Sequence, residues 1–247
     1  MSGEAGWPAG TGRLILPETD STNAEAARRA GSLVAPVWIM ARRQTAARGR
    51  RGRPWASPEG NLAATLVLAE ADPARAGLRS FVAALALAEA LDAAAPGAAV
   101  ALKWPNDVLL NGGKVAGILL ESLPAGRGVA IGIGVNLAVA PDQATLEAGA
   151  LRPVSVAGET GRAVAPEDFL DLLAGAFAGW EGRFGRFGFA PVRSAWLARA
   201  ARLGERIAVR TGSTALAGRF ADLAGDGALV LETPEGRQRI HAADVFF

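Results

Sequence analysis

The sequence predicts an α+β fold: a mixed, largely antiparallel sheet with helices, followed by a small C-terminal antiparallel β-barrel. Three observations carry this. Hairpin signals break any regular alternation of strand and helix, so a uniformly parallel sheet is excluded. Leu78 to Ala94 has the length and Ala/Leu content of a buried helix. From Gly204 the texture changes to short apolar runs separated by turns. The chain has 247 residues, half of them apolar, and reads as one domain over 13–202 and a second over 203–247.

Arg13 to Pro17 is short and apolar, a strand. Thr22-x-x-Glu25 opens an Ala-rich helix with the spacing of a capping box. Val37 to Ala41 is a second strand, and Gln44 to Gly60 a basic loop with Gly and Pro. Asn61 to Leu68 is a strand, and Val100 to Lys103 begins another. Trp104-Pro105 predicts an extended segment, since proline disfavours the helical region for the residue before it. Val108 to Leu110 and Val115 to Leu120 flank Asn111-Gly112-Gly113, a strong hairpin signal. Val129 to Val135 is a further strand. Glu167 to Trp180 and Pro191 to Ala201 are amphipathic helices. The C-terminal runs are Ile207–Val209, Ala215–Phe220, Ala228–Leu231 and Arg239–Ile240, with turns at Thr211-Gly212, Gly225-Asp226-Gly227 and Pro234-Glu235-Gly236.

Composition excludes several chemistries. There is no cysteine and one histidine, His241. A disulfide framework, a thiolate zinc site, a cysteine nucleophile and a multi-histidine metal site are therefore out. No Gly-x-Ser-x-Gly elbow accompanies the histidine. Any chemistry must run on Lys, Arg, Asp, Asn and backbone groups. The net charge is only +2, so the pI near 9.9 overstates how basic the chain is. Met1 to Gly12 carries Glu4 and no basic apolar run, unlike a signal peptide. No apolar stretch is long enough to span a membrane. The expected location is the cytoplasm.

Lysine is confined to one segment. Of 26 basic residues only Lys103 and Lys114 are lysines, so a lysine that persists is a candidate for work a planar guanidinium cannot do. Asparagine is similarly sparse: Asn23, Asn61, Asn106, Asn111 and Asn136, each in a segment that looks chemical on other grounds.

Four segments carry candidate chemistry. Six arginines lie between Arg42 and Arg53 with no acid among them, a run that repels itself. Gly49 and Gly52 let backbone N–H groups approach an anion. Arginine adds bidentate donors for phosphate or carboxylate, and Trp55 a flat stacking face. In the lysine segment, strand alternation can bring Asp107 near Lys114 across the Asn111 turn. That pair would orient the lysine, hold Mg²⁺ on a nucleotide, or be an ordinary cross-strand ion pair. Asp20-Ser21-Thr22-Asn23 serves equally as a helix N-cap or as a polar cradle for a ligand head. Gly132-Ile133-Gly134-Val135-Asn136 lacks the third glycine of a dinucleotide fingerprint, and Gly113-Lys114-Val115 lacks the Ser/Thr of a P-loop.

Taken in order, Ser-Thr-Asn, Gln-x-x-x-Arg-Gly-Arg-Arg-Gly-Arg-x-Trp, Lys-Trp-Pro-Asn-Asp, Lys-x-x-Gly-Ile and Gly-x-x-Asn resemble the biotin–protein ligases across roughly 13–247. The resemblance implies a catalytic domain of the class II aminoacyl-tRNA-synthetase and biotinyl-ligase type, with a Src-homology-like C-terminal barrel. It implies activation of biotin by MgATP to biotinyl-adenylate, then transfer to a lysine of a biotin carboxyl carrier domain. By the same resemblance Ser21, Thr22, Asn23, Gln44, Arg48, Gly49, Arg50, Lys114 and Gly117 would bind biotin. Arg51, Arg53, Trp55, Asn106, Asp107 and Asn136 would bind ATP. Lys114, Arg50 and Asp107 would be catalytic, with Mg²⁺ arriving on ATP near Asp107. One departure is Ala47, where the family loop usually has glycine. The short form without an N-terminal winged helix-turn-helix is expected, since the first strand begins at Arg13, and with it no specific DNA binding and no membrane partner. A homodimer is left open.

The reaction suits this composition. A carboxylate and an α-phosphate repel, and a cationic loop with a lysine offsets that repulsion. The carboxylate itself attacks, so no protein nucleophile is needed. Three other readings compete. A lipoate–protein ligase lacks support because its Gly-rich segment and histidine are not found. A nucleic-acid module would show steep salt dependence. A noncatalytic sensor would bind without transfer. Lys103, at a strand end, is expected to matter less than Lys114.

Overall fold

The structure, a computed structural model, describes residues 6–70, 72–145, 151–211 and 214–246. Seven strands form the main sheet: β1 Gly12–Thr19, β2 Val37–Gln44, β3 Leu62–Leu68, β4 Val100–Lys103, β5 Asp107–Leu110, β6 Gly113–Ser122 and β7 Val129–Val135. Their order is β1-β2-β3-β7-β6-β5-β4. Only β1 and β2 run parallel, joined by helix α1 (Thr22–Arg29); every other neighbouring pair is antiparallel. The expected mixed, largely antiparallel sheet is what forms.

The two faces of the sheet differ. Trp38, Met40, Leu66, Ile118, Ile131 and Ile133 point to one side, where α2 (Pro73–Ala94) and α4 (Pro166–Phe187) cover them. The helix predicted from Leu78 starts earlier because the Asp72 side chain accepts from Ala74 N–H and Pro73 fits the first turn. α4 runs past Trp180 to Phe187 because Phe184 belongs to the core. The opposite face carries a smaller apolar cluster of Val37, Ile39, Val67 and Ala130 under Ala26 of α1.

α5 (Phe189–Ala198) ends before the predicted Ala201, because Arg199 and Ala201 hydrogen-bond to Leu102 of β4. The C-terminal strands β8 Arg206–Thr211, β9 Thr214–Leu223, β10 Leu229–Thr233, β11 Gly236–Ile240 and β12 Asp244–Phe246 form an antiparallel sheet in the order β11-β10-β9-β8-β12. β12 lay outside the predicted runs. Glu4 and the Gly212 half of the predicted Thr211-Gly212 turn lie outside the described residues. This small sheet shares the main core: Trp196 packs edge-on to Phe220, and Trp104 Nε1 donates to Gly227 O at 3.1 Å.

Two local expectations are corrected. The capping box is not made. Ser21 is the N-cap and makes no side-chain cap bond; Thr22 is already helical, and Glu25 binds Arg28 and Arg29. The extended segment expected at Trp104-Pro105 is instead the turn that closes β4 on β5, because Lys103 and Asp107 are antiparallel partners. The Asn111-Gly112 hairpin forms as predicted, with both residues at positive φ, 49° and 80°.

Candidate active site

The face of the sheet that carries α1 also carries a cavity of about 600 Å³. Strand register explains its floor. Lys103, Asp107, Gly117, Gly134 and Ala63 are successive partners across β4, β5, β6, β7 and β3. The next row on the same face is Leu119, Gly132 and Thr65. Glycines at the middle of both rows leave a trough where side chains would stand. A Cβ at Gly132 would lie 2.4 Å from Asn23 Oδ1, and one at Gly134 2.6 Å from Trp55 Nε1. The Gly-x-Gly of β7 is therefore a floor over which Asn23 and Trp55 lie.

One end of the trough is polar and neutral. Thr22 N–H and Oγ1–H both reach Gln44 Oε1, at 2.7 and 3.2 Å. Thr65 Oγ1, fully buried, lies 2.8 Å from Thr22 Oγ1 and 2.6 Å from Asn23 Oδ1. Asn23 Nδ2 donates to Leu119 O and to Glu121 Oε2 at 2.7 Å. Asn23 is thus spent on building the wall, while Ser21 lines the cavity with a hydroxyl unused by its helix. Thr65 and Glu121 were missed in the sequence. The available signal for Thr65 was a single hydroxyl in an otherwise apolar strand, Leu62–Leu68.

The other end is charged. Lys114 Nζ lies 2.7 Å from Asp107 Oδ1, and Lys103 Nζ 3.7 Å from Asp107 Oδ2. Lys103, at the end of β4 as expected, is only 8% exposed and lines the same cavity, so it belongs to the site. Burial pulls its pKa below the usual lysine value, against the opposing pull of Asp107. Lys114 Nζ also sits 5.5 Å from the centre of the Trp55 ring.

The arginine run is not left repelling itself. Arg42 pairs with Glu167, Arg43 with Glu18 and Arg48 with Glu121. Arg51 and Arg53 both grip Asp244, at 3.0 and 2.9 Å. Arg50 donates to Ala243 O and Asn106 Oδ1, and burial pulls its pKa down. Asp244 stays below the ordinary carboxylate range. Its burial opposes that shift, but Arg53, Arg51 and Arg50 outweigh it. The acids come from β1, α4, β6 and β12, which no local reading of the run can supply. Ala47 is not among the residues with positive φ, so its backbone does not require glycine.

Arg48, Gly49, Arg50, Arg53, Trp55, Asn106, Asp107, Lys114, Gly117 and Asn136 all line the cavity, as do Ser21, Thr22, Asn23 and Gln44. Arg51 faces Asp244 beside it. Asn136 is buried and donates Nδ2 to Val154 O, so part of its role is to fix the chain that returns over Lys114. Asn61 clips Ala138 and Val139, and Asn111 accepts from Ala99 N–H beside β4 and donates to Glu159; these two are structural. Among the described residues no cluster of three or more His, Asp or Glu could hold a metal alone. Asp107 and Asp244 are the carboxylates lining the cavity, which suits a Mg²⁺ held chiefly by nucleotide phosphates.

A neutral polar pocket joined over a glycine floor to a lysine–arginine end is the arrangement that a ligase activating a carboxylate with a nucleotide needs. Comparisons with known proteins sharpen this. Residues 15–137 match the biotin/lipoate A/B protein ligase family, and residues 203–247 the biotin protein ligase C-terminal domain. A biotin–[acetyl-CoA-carboxylase] ligase of Paracoccus denitrificans is 60% identical over 94% of this chain and 99% of its own. A bifunctional ligase/repressor BirA of Bacillus subtilis is 30% identical over 94% of this chain and 73% of its own. The biotin protein ligase of Aquifex aeolicus in complex with biotin and ATP superposes with a TM-score of 0.79 at 26% identity, covering 95% and 97% of the two chains. The chain belongs to the biotin protein ligases.

Proposed function

We infer that the protein is an ATP-dependent biotin–protein ligase. It activates biotin to biotinyl-adenylate with release of pyrophosphate, then transfers biotin to a carrier lysine. The observation that carries this is the Lys103–Asp107–Lys114 cluster set across a glycine floor from the Ser21–Gln44 pocket. The polar end suits the ureido ring, which needs donors and acceptors without net charge. The trough suits the apolar valeryl chain. At the cationic end, Lys114 and Arg50 offset charge between carboxylate and α-phosphate as the carboxylate oxygen attacks phosphorus and pyrophosphate departs. Mg²⁺ enters with ATP. In the second step the carrier amine attacks the biotinyl carbonyl carbon and AMP leaves.

The carrier is a biotin carboxyl carrier domain of a carboxylase, and the reaction is placed in the cytoplasm. Among the described residues no helix is long and apolar enough to cross a membrane. Specific DNA binding is not part of this function, because the loop arginines are engaged by Glu121, Asp244 and the cavity. We keep 13–202 and 203–247 as functional modules, although Asp244 and Phe246 of the second help line the cavity of the first. Incubation with biotin, MgATP and a carrier domain should label that domain. Transfer of lipoate without biotin would overturn the reading.

A further inference from the structure

We propose that Glu121 is a positioning residue that fixes the hydrogen-bond polarity of the biotin pocket and ties it to the Arg48–Trp55 loop. The proposal rests on the biotin-ligase reading and deepens it. Glu121 closes no hairpin. On β6 it stands in the row after Leu119, on the face that carries α1 and the cavity. Its carboxylate receives two donors from segments remote in sequence: Asn23 Nδ2 on Oε2 at 2.7 Å and Arg48 Nη2 on Oε1 at 3.0 Å.

The consequence for the pocket follows from donor and acceptor counts. An ionised carboxylate only accepts, so it dictates that the Asn23 amide turns its N–H groups toward Glu121 and Leu119 O. Asn23 Oδ1 then faces Thr65, whose hydroxyl must donate to it. The Thr22 hydroxyl, beside both Thr65 and Gln44, is left as a donor. Gln44 Oε1 is held as acceptor by Thr22 N–H, which turns Gln44 Nε2 toward Ser57 as a donor at the cavity wall. The carboxylate thus orients Asn23 and, through it, the Thr65 and Thr22 hydroxyls behind the ligand-facing wall, while Gln44 is fixed separately by Thr22 N–H. A neutral amide in its place can offer either end to Asn23, which leaves the longer bond to Leu119 O alone to hold the Asn23 amide in this sense.

The same carboxylate acts on the loop. Arg48 stands where the loop leaves β2, and its pairing with Glu121 is the charge-assisted contact that binds this end of the loop to the pocket wall. Both sides of that pair are partly exposed, so its contribution lies in loop order rather than global stability.

The test is Glu121→Gln, assayed by pyrophosphate release and by dissociation of preformed biotinyl-adenylate. Wild-type protein is measured first; if it makes no biotinyl-adenylate, the biotin reading itself fails. Given an active wild type, Glu121→Gln should raise the KM for biotin and the adenylate release rate by about tenfold, the loss expected for one hydrogen bond to a charged group. The KM for ATP should stay within about twofold on the same argument. Arg48→Gln should also raise release, and the double variant should release no faster than the worse single one. Arg48→Gln also keeps the idea testable if Glu121→Gln folds poorly, since normal release by that variant removes the loop half. Wild-type biotin KM and release in Glu121→Gln would overturn the proposal. So would equal losses toward biotin and ATP, which would mark general damage.

Discussion

Asp107 and Lys114 meet at 2.7 Å although they are not cross-strand partners. Asp107 pairs with Gly117, and Lys114 pairs with Leu109. Strict alternation along β6 puts Lys114, three residues from Gly117, on the opposite face. The register shift between Val108 and Leu109 leaves Val115 as an extra residue, and the bulge turns Lys114 back to the cavity face. The ammonium reaches the site because of one irregularity in the ladder.

Lys114→Arg should fold normally and lose most adenylation. A compact ammonium fits between Asp107 and the Trp55 ring, where a planar guanidinium needs more width. The expected loss is about 3 kcal/mol, on the order of a hundredfold in the rate of pyrophosphate release. Wild-type rates from this variant would remove its catalytic role.

Lys103→Arg is not the mild control the sequence suggests. Lys103 is buried against the same carboxylate, and a larger head group there displaces Asp107. Adenylation should fall by about tenfold or more through misplacement of Lys114. Measuring pyrophosphate release for both variants side by side decides whether the lysines act as one cluster.

Gly132→Ala should damage both fold and pocket. Its Cβ would stand 2.4 Å from Asn23 Oδ1, so the α1 wall must move. Overpacking of this kind costs about 1–3 kcal/mol, read by denaturant titration. Biotin affinity should drop as well, by isothermal titration.

Asp244→Asn should loosen the arginine loop. Arg51 and Arg53 lose their common anion, and amide exchange across Arg48 to Trp55 should quicken in the free protein. Biotin with a nonhydrolysable ATP analogue should slow exchange over the same residues in the parent protein. Full protection before ligand is added would count against a loop ordered by its substrates.

Acid stability should depend on Glu70. Its carboxylate accepts from Asp72 N–H and pairs with Arg79, which is buried and also bound to Glu181. These hold its pKa at about 2 in the folded protein, below the ordinary 4.5. A depressed carboxylate stabilises the fold above its unfolded pKa, and the effect fades as pH falls through the folded one. Glu70→Gln should therefore lower Tm above about pH 4.5, with the difference vanishing near pH 2. A difference that persists undiminished in acid would mean the charge is not responsible.

The sequence by itself determined the class of fold and the hairpin at Asn111-Gly112, and its contiguous motifs named fourteen of the thirty residues that line the cavity. Those features are local: period, turn chemistry and contiguous motifs need no partner distant in the chain. Only the tertiary structure decided which groups compensate the arginines, because Glu18, Glu121, Glu167 and Asp244 arrive from four separate elements. It also decided that Lys103 shares the site and that Thr65 and Glu121 complete the pocket wall. Each depends on strand order and register, and β3 meets β7, not its sequence neighbour β4, through pairings of long sequence separation. Alternation says which residues share a face of one strand; it does not say which strand lies beside it, or where a bulge reverses the count.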